Sequence, residues 1–275
     1  MDVNQYVLQI KEASEYIKNL TNGFQTDTAL ILGSGLGDFV SAMKNTQEVP
    51  YGDIPHFPPS TVAGHSGKLV FGSVEGKRVL VMQGRIHYYE GYSMQQVSFP
   101  IRIMQSMGIK HLIVTNASGG LNPTYNVGDL ILIHDQINMM GTNPLIGTNV
   151  AELGVRFPDM SHAFDAGYIQ TLTDISNSLG FSLKSGVYAA VTGPYYESYA
   201  EANMLYRLGA DMVGMSTVPE VIVARHAGMK VAGLSCITDM PGKSADGVTH
   251  EEVVKAAEKA GKKLEQLLLR FIPRI

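Results

Sequence analysis

Short apolar runs rich in β-branched residues alternate along the chain with longer segments whose apolar residues recur three and four apart. Residues 28–32, 69–74, 79–82, 111–115, 129–133, 187–191 and 231–238 are predicted strands, and most are apolar at consecutive positions, as strands covered on both faces are. Residues 93–107, 165–179, 198–208, 219–227 and 250–270 carry helical spacing. The last follows Thr249, a capping residue type, and has Glu251 and Glu252 in its first turn. Strands alternating with helices predict an α/β fold. Val74-Glu75-Gly76-Lys77 joins two apolar runs closely enough to predict an antiparallel hairpin, so the central sheet is expected to be mixed, flanked by helices. No repeat or linker divides the chain, and residues 1–275 are expected to form a single domain. Residues 141–158 form a long irregular stretch of the kind that often carries function.

Composition narrows the field. The 275 residues are 45% hydrophobic and 17% charged, with 12 Pro and 29 Gly, which is ordinary globular composition. Lys plus Arg number 21 against 25 Asp plus Glu, for a net charge of −4, and no basic block stands out, so neither nucleic acid nor a membrane surface is an expected partner. The single cysteine, Cys236, excludes an intramolecular disulfide and a four-cysteine zinc site. Together with an N-terminus that lacks the basic-then-apolar order of a signal peptide, it predicts a soluble protein of the reducing cytoplasm.

Three tempting motifs fail on chemistry. Gly33-Ser34-Gly35-Leu36-Gly37 follows a strand, but Asp38 stands where the dinucleotide fingerprint needs its third glycine, so only a small anion site is expected there. Gly242-Lys243-Ser244 imitates the end of a nucleotide P-loop, yet Ile237 replaces the first glycine and Pro241 removes a donor. Gly64-His65-Ser66-Gly67 and Gly214-Met215-Ser216-Thr217-Val218 each half-match a serine-hydrolase elbow, with Lys68 and Val218 in place of the closing glycine. The eight histidines show no zinc-binding spacing, and no metal is expected; His56, His111, His134, His162 and His226 are expected to be surface or structural. The segment Gln83-Gly84-Arg85-Ile86-His87-Tyr88-Tyr89-Glu90-Gly91-Tyr92 is more telling, because it gathers a guanidinium, an imidazole and aromatic rings as an oxyanion beside a flat organic ring would require.

These segments, with Thr115-Asn116-Ala117-Ser118-Gly119-Gly120 and Gly214-Met215-Ser216-Thr217-Val218-Pro219-Glu220-Val221, resemble the trimeric purine nucleoside phosphorylases from about the first strand to the C-terminal helix. The resemblance implies reversible phosphorolysis of purine ribo- or deoxyribonucleosides to a free base and a pentose 1-phosphate. Inorganic phosphate would be the co-substrate, with no metal or organic cofactor, in a homotrimer. It further implies phosphate binding by Ser34, His65, Arg85, His87, Ala117 and Ser216. Tyr89, Met215 and His250 would meet the sugar, with Phe157 supplied by a neighbouring subunit. Tyr196, Glu197 and Asp239 would meet the base, and His87, Glu197 and Asp239 would be the catalytic groups.

Two positions depart from the family pattern: Tyr195, where a serine is common, is expected to add bulk beside the base pocket, and Asp239 replaces an asparagine. Glu197 favours 6-oxopurines such as inosine and guanosine, whereas Asp239 adds an expectation of adenosine activity. A methylthioadenosine phosphorylase of the same fold and a non-catalytic nucleoside- or anion-binding protein are the alternatives.

Overall fold

The computed structural model describes residues 3–61, 66–241 and 249–275. Nine strands form one mixed sheet. β1 (Thr28–Leu32) lies between β4 (Lys77–Gln83) and β5 (His111–Gly120), parallel to both, and β5 is parallel to β9 (Lys230–Asp239) on its other side. β6 (Leu130–Asn138) is antiparallel to β9 and parallel to β7 (Lys184–Ala190), which pairs in parallel with β8 (Met212–Gly214). β8 then meets the end of β5 through Gly119↔Val213 and Gly120↔Met212. Five strands, β5-β8-β7-β6-β9, therefore close into a ring. From it β1, β4, β3 (Lys68–Val74) and β2 (Lys44–Pro50) extend in order, and β2 has a single neighbour.

The consecutive apolar residues of β1 are all buried because helices cover both faces. Ala29 and Ile31 pack with residues of α1 (Val3–Leu20), α3 (Phe99–Ser106) and α6 (Val218–His226); Leu30 and Leu32 pack with α4 (Ala166–Ser178) and α7 (His250–Phe271). α5 (Tyr199–Arg207) lies beside β8. The predicted hairpin is present in register Val74↔Lys77, with Glu75 at φ +47° and Gly76 at φ +86°, the positive values a type I′ turn demands.

Four expectations change. The helix predicted over 93–107 is broken into α2 (Met94–Val97) and α3, because Pro100 cannot donate to the carbonyl four residues back. β5 and β6 run five residues beyond their predicted ends, carrying polar positions such as Asn116, Ser118 and Asp135. β2 and β8 were not predicted, the first because KNTQEVP is almost wholly polar and exposed, the second because it has only three residues. Nor was α1, although Tyr6, Ile10, Ala13 and Ile17 recur on one buried face.

Candidate active site

The C-terminal ends of β5 and β9, the loops leaving β1, β4, β7 and β8, and the start of α7 converge on a cleft of about 630 Å³. Its lining includes Ser34, Arg85, His87, Ala117 and Ser216 from the expected phosphate set and Tyr89, Tyr196, Glu197, Met215, Asp239 and His250 from the expected nucleoside set. Ser34 is delivered by a turn whose glycines are spacers. A Cβ on Gly33 would lie 2.7 Å from Asn116 Cα, and one on Gly35 (φ +73°) 2.7 Å from both Val254 O and Ala257 Cβ, so the turn is pressed between β5 and α7.

Arg85 follows β4 and is 1% exposed. Its Nε and Nη2 donate to Oε1 and Oε2 of Glu220 at 3.2 and 3.1 Å, and Nη1 donates to Ser216 Oγ at 3.1 Å. Burial pushes the Glu220 carboxyl up and the Arg85 charge opposes that, so this bidentate pair is mutually dependent. Glu220 lies in the first turn of α6, whose N-cap Thr217 sits at φ +68°, ψ −54°, with Val218 N donating to Ser216 O at 2.7 Å. Ser216-Thr217-Val218 is thus a γ-turn of the strained hand, rare for a β-branched residue and costing about 1–3 kcal/mol. The Gly214–Val218 motif does form a strand-turn-helix, but among the described residues Ser216 contacts Arg85, Thr217 and Tyr188, not the histidine base a serine nucleophile needs.

His87 is buried, stacks on Tyr89 with ring centroids 4.6 Å apart, and makes a 3.2 Å contact from Nδ1 to Glu90 Oε1. Burial lowers its pKa against the pull of Glu90, leaving the ring neutral at pH 7. Glu90 also accepts from His87 N at 2.7 Å, Thr61 N at 2.8 Å and Thr61 Oγ1 at 2.5 Å. Burial acts to raise the Glu90 pKa, but these hydrogen bonds hold it at about 2. Its charged form therefore stabilises the fold above pH 4.5, an advantage lost as pH falls toward 2. Glu90→Gln is expected to lower Tm at pH 7 by roughly 2–4 °C, for a solvent-screened loss of about 1 kcal/mol. The gap from the parent protein should close between pH 4.5 and 2 in a thermal melt series; a gap constant across that range would reject the charge as its source.

Glu197 and Asp239 line the same cleft. Burial raises both carboxyls; the Asp239 charge adds to the rise of Glu197, while Thr238 Oγ1, donating to Asp239 Oδ1 at 3.1 Å, opposes that of Asp239. The Tyr196 hydroxyl, also in the cleft, is pushed up by burial and by both carboxylates. Tyr195 does not line this cleft itself. It is 65% exposed, donates to Glu201 Oε1 at 3.2 Å and lines, with Met139 and Met204, an adjoining groove that shares Glu197 with the cleft, so its bulk stands beside that carboxylate.

Phe157 does not line the cleft of its own chain; it is 86% exposed with the Arg156 guanidinium over its ring. His65 and the Gly242-Lys243-Ser244 segment lie outside the described residues. His226 is buried against Arg102 and His56 pairs with Glu12. Among the described residues no three His, Cys, Asp or Glu side chains are grouped to hold a metal, and no helix is long and apolar enough to cross a membrane. Glu220 was not among the expected site residues, although a lone acid within the apolar run Val218–Ala224 is a signal that a buried partner exists.

A model of the phosphorylase superfamily matches residues 27–273. Purine nucleoside phosphorylase 1 of Geobacillus stearothermophilus is 51% identical over 269 residues, covering 97% of this chain and 96% of that one. Two crystal structures of Schistosoma mansoni purine nucleoside phosphorylases each cover 97% of this chain and 96% of their own. One, in complex with adenosine, has a TM-score of 0.91 at 38% identity, and the other, isoform 2 with cytosine and ribose-1-phosphate, a TM-score of 0.92 at 43% identity.

Proposed function

The chain belongs to the phosphorylase superfamily and, within it, to the purine nucleoside phosphorylases; on that premise we propose that it cleaves 6-oxopurine nucleosides, inosine and guanosine, with inorganic phosphate as co-substrate and no cofactor, and that it accepts adenosine beside them. One observation supports this reading: the Arg85, His87 and Ser216 donors and the Glu197 and Asp239 carboxyls line a single cleft. Phosphate needs cationic and neutral donors together, and a purine edge needs hydrogen-bonding groups a nucleoside's length away.

In this mechanism the glycosidic bond lengthens first. Positive charge grows on the ribose and negative charge on the departing purine, and both must be stabilised. Phosphate held by Ser34, Arg85, His87, Ser216 and the Ala117 N–H lies beneath the cationic sugar, and Tyr89, Met215 and His250 hold the ribose. Glu197 accepts from N1–H of a 6-oxopurine, and Asp239, whose carboxyl burial pushes up, donates toward N7 or O6 whenever it holds its proton. The buried thiol of Cys236 and the absence of a membrane-spanning helix among the described residues fit a cytoplasmic enzyme. Inosine, guanosine, adenosine and methylthioadenosine assayed with and without phosphate test the reading. Base release without phosphate would make the protein a hydrolase, binding without turnover a carrier, and preference for methylthioadenosine the related phosphorylase.

The exposed ring of Phe157, on the irregular segment 141–158, supports a homotrimer in which each subunit completes its neighbour's sugar site. Phe157→Ala is expected to raise the nucleoside KM about tenfold while sedimentation still reports a trimer, since truncating a buried interfacial aromatic typically costs 1–2 kcal/mol or more. An active monomer would reject the arrangement.

A further inference from the structure

The γ-turn at Thr217 is held from behind by a chain of buried hydroxyls and one amide, none more than 3% exposed among Asn116, Ser118, Thr217 and Ser235. Ser118 Oγ lies 2.6 Å from Ser235 Oγ, Ser235 Oγ donates to Asn116 Oδ1 at 2.6 Å, and Asn116 Nδ2 donates to Thr217 Oγ1 at 2.8 Å. Thr217 Oγ1 is in turn 3.2 Å from Ser216 Oγ.

Asn116 fixes the direction of the bonds it makes. Ser235 gives its hydrogen to Asn116, so it accepts from Ser118. Thr217 Oγ1 accepts from the amide and is placed to give its own hydrogen to Ser216 Oγ. Ser216 Oγ already accepts from Arg85 Nη1 at 3.1 Å, so both of its lone pairs are filled. Tyr188 Oη, which accepts from Ser216 N at 3.4 Å, is 3.5 Å from Ser216 Oγ, at the limit of a hydrogen bond. With Arg85 and Thr217 both donating to it, Ser216 can turn its own hydrogen to the cleft.

We infer that Asn116 is a positioning residue that sets the hydrogen-bond polarity of Ser216, through Thr217, so that Ser216 presents a donor to bound phosphate. This rests on the proposed phosphorolysis. A serine hydroxyl alone could offer phosphate either its hydrogen or a lone pair, and only the first binds an anion.

Asn116→Asp keeps the shape and reverses the polarity. A carboxylate accepts from both sides, turns the Thr217 hydrogen toward itself and draws the Ser216 hydrogen inward. The phosphate KM is expected to rise about 10- to 100-fold, the worth of one hydrogen bond to a charged group, with the nucleoside KM changed less than about twofold. Thr217→Val adds no charge and removes the relay, and should raise the phosphate KM by roughly threefold to tenfold. The double variant separates polarity from simple repulsion. With the relay cut, Ser216 is free to donate again, so Asn116→Asp/Thr217→Val should bind phosphate better than Asn116→Asp alone, a non-additivity that repulsion across the gap would not give.

Additive effects, or an unchanged phosphate KM in either single variant, would overturn the inference. If Asn116→Asp does not fold, the unchanged-KM criterion applies to Thr217→Val by itself. Phosphate-independent turnover by the parent protein would instead refute phosphorolysis, a separate outcome.

Discussion

Arg85→Ala is expected to cut kcat/KM for phosphate by about 10²- to 10³-fold, more than the roughly 1.5–3 kcal/mol of the hydrogen bonds it removes. The excess comes from Glu220. In the parent protein its carboxylate is 3% exposed and receives two bonds from Arg85; without them, a buried charge faces the arriving anion. Removing that charge as well, in Arg85→Ala/Glu220→Gln, should recover about tenfold, whereas equal losses in the single and double variants would show that Glu220 takes no part. The fold should also weaken. Burial already raises the Glu220 pKa and Arg85 is the main group opposing it, beside a Thr217 backbone hydrogen bond, so the single variant should lose stability as pH rises and the carboxyl must ionise. Urea midpoints falling from pH 6 to pH 8 would express that loss. Unchanged phosphate kinetics would remove Arg85 from the binding site altogether.

Asp239→Asn addresses the carboxyl side chains of the same cleft. Protonated Asp239 donates to N7 or O6 of hypoxanthine; ionised, it repels O6 and accepts from the amino group of adenine. Because burial raises its pKa more than the Thr238 hydrogen bond lowers it, its ionisation is delayed to higher pH. The inosine-to-adenosine ratio of kcat/KM is therefore expected to fall as pH rises. Asparagine cannot ionise and always offers its amide hydrogens. In Asp239→Asn the ratio should shift toward inosine by about tenfold, the exchange of one hydrogen bond of roughly 1.4 kcal/mol, and lose the pH dependence due to Asp239. An unchanged ratio would show that residue 239 does not read the base.

Much of this cleft was legible in the sequence because its parts are local. Gln83–Tyr92 carries Arg85, His87, Tyr89 and Glu90 in one loop, and β1 is apolar from end to end, a pattern only a doubly covered strand needs. What the sequence did not disclose depends on partners distant in the chain. Glu220 becomes meaningful only when Arg85, 135 residues away, donates to it. The polar ends of β5 and β6 look unlike strands until Asn116 and Ser118 find Ser235 on β9. Tyr195 and Tyr196 are neighbours in sequence, yet they line different grooves that meet at Glu197. Ring closure by β8 rests on two residue pairs, too few to leave a periodicity.

That closure has a consequence for the behaviour of the protein at high concentration. An open sheet exposes two rows of unpaired backbone groups on which another chain can build an aggregate. Here the five-stranded ring consumes one of them, and β2 is left as the outermost strand. Its sequence discourages addition: Lys44 and Glu48 are charged and exposed, the pairing slips between Lys44 and Gln47, Asn45 takes φ +54°, and Pro50 ends the strand without an N–H. Crowded solutions of the native protein should consequently resist edge-to-edge polymerisation, and the apolar strands that could seed it become available only when the ring opens.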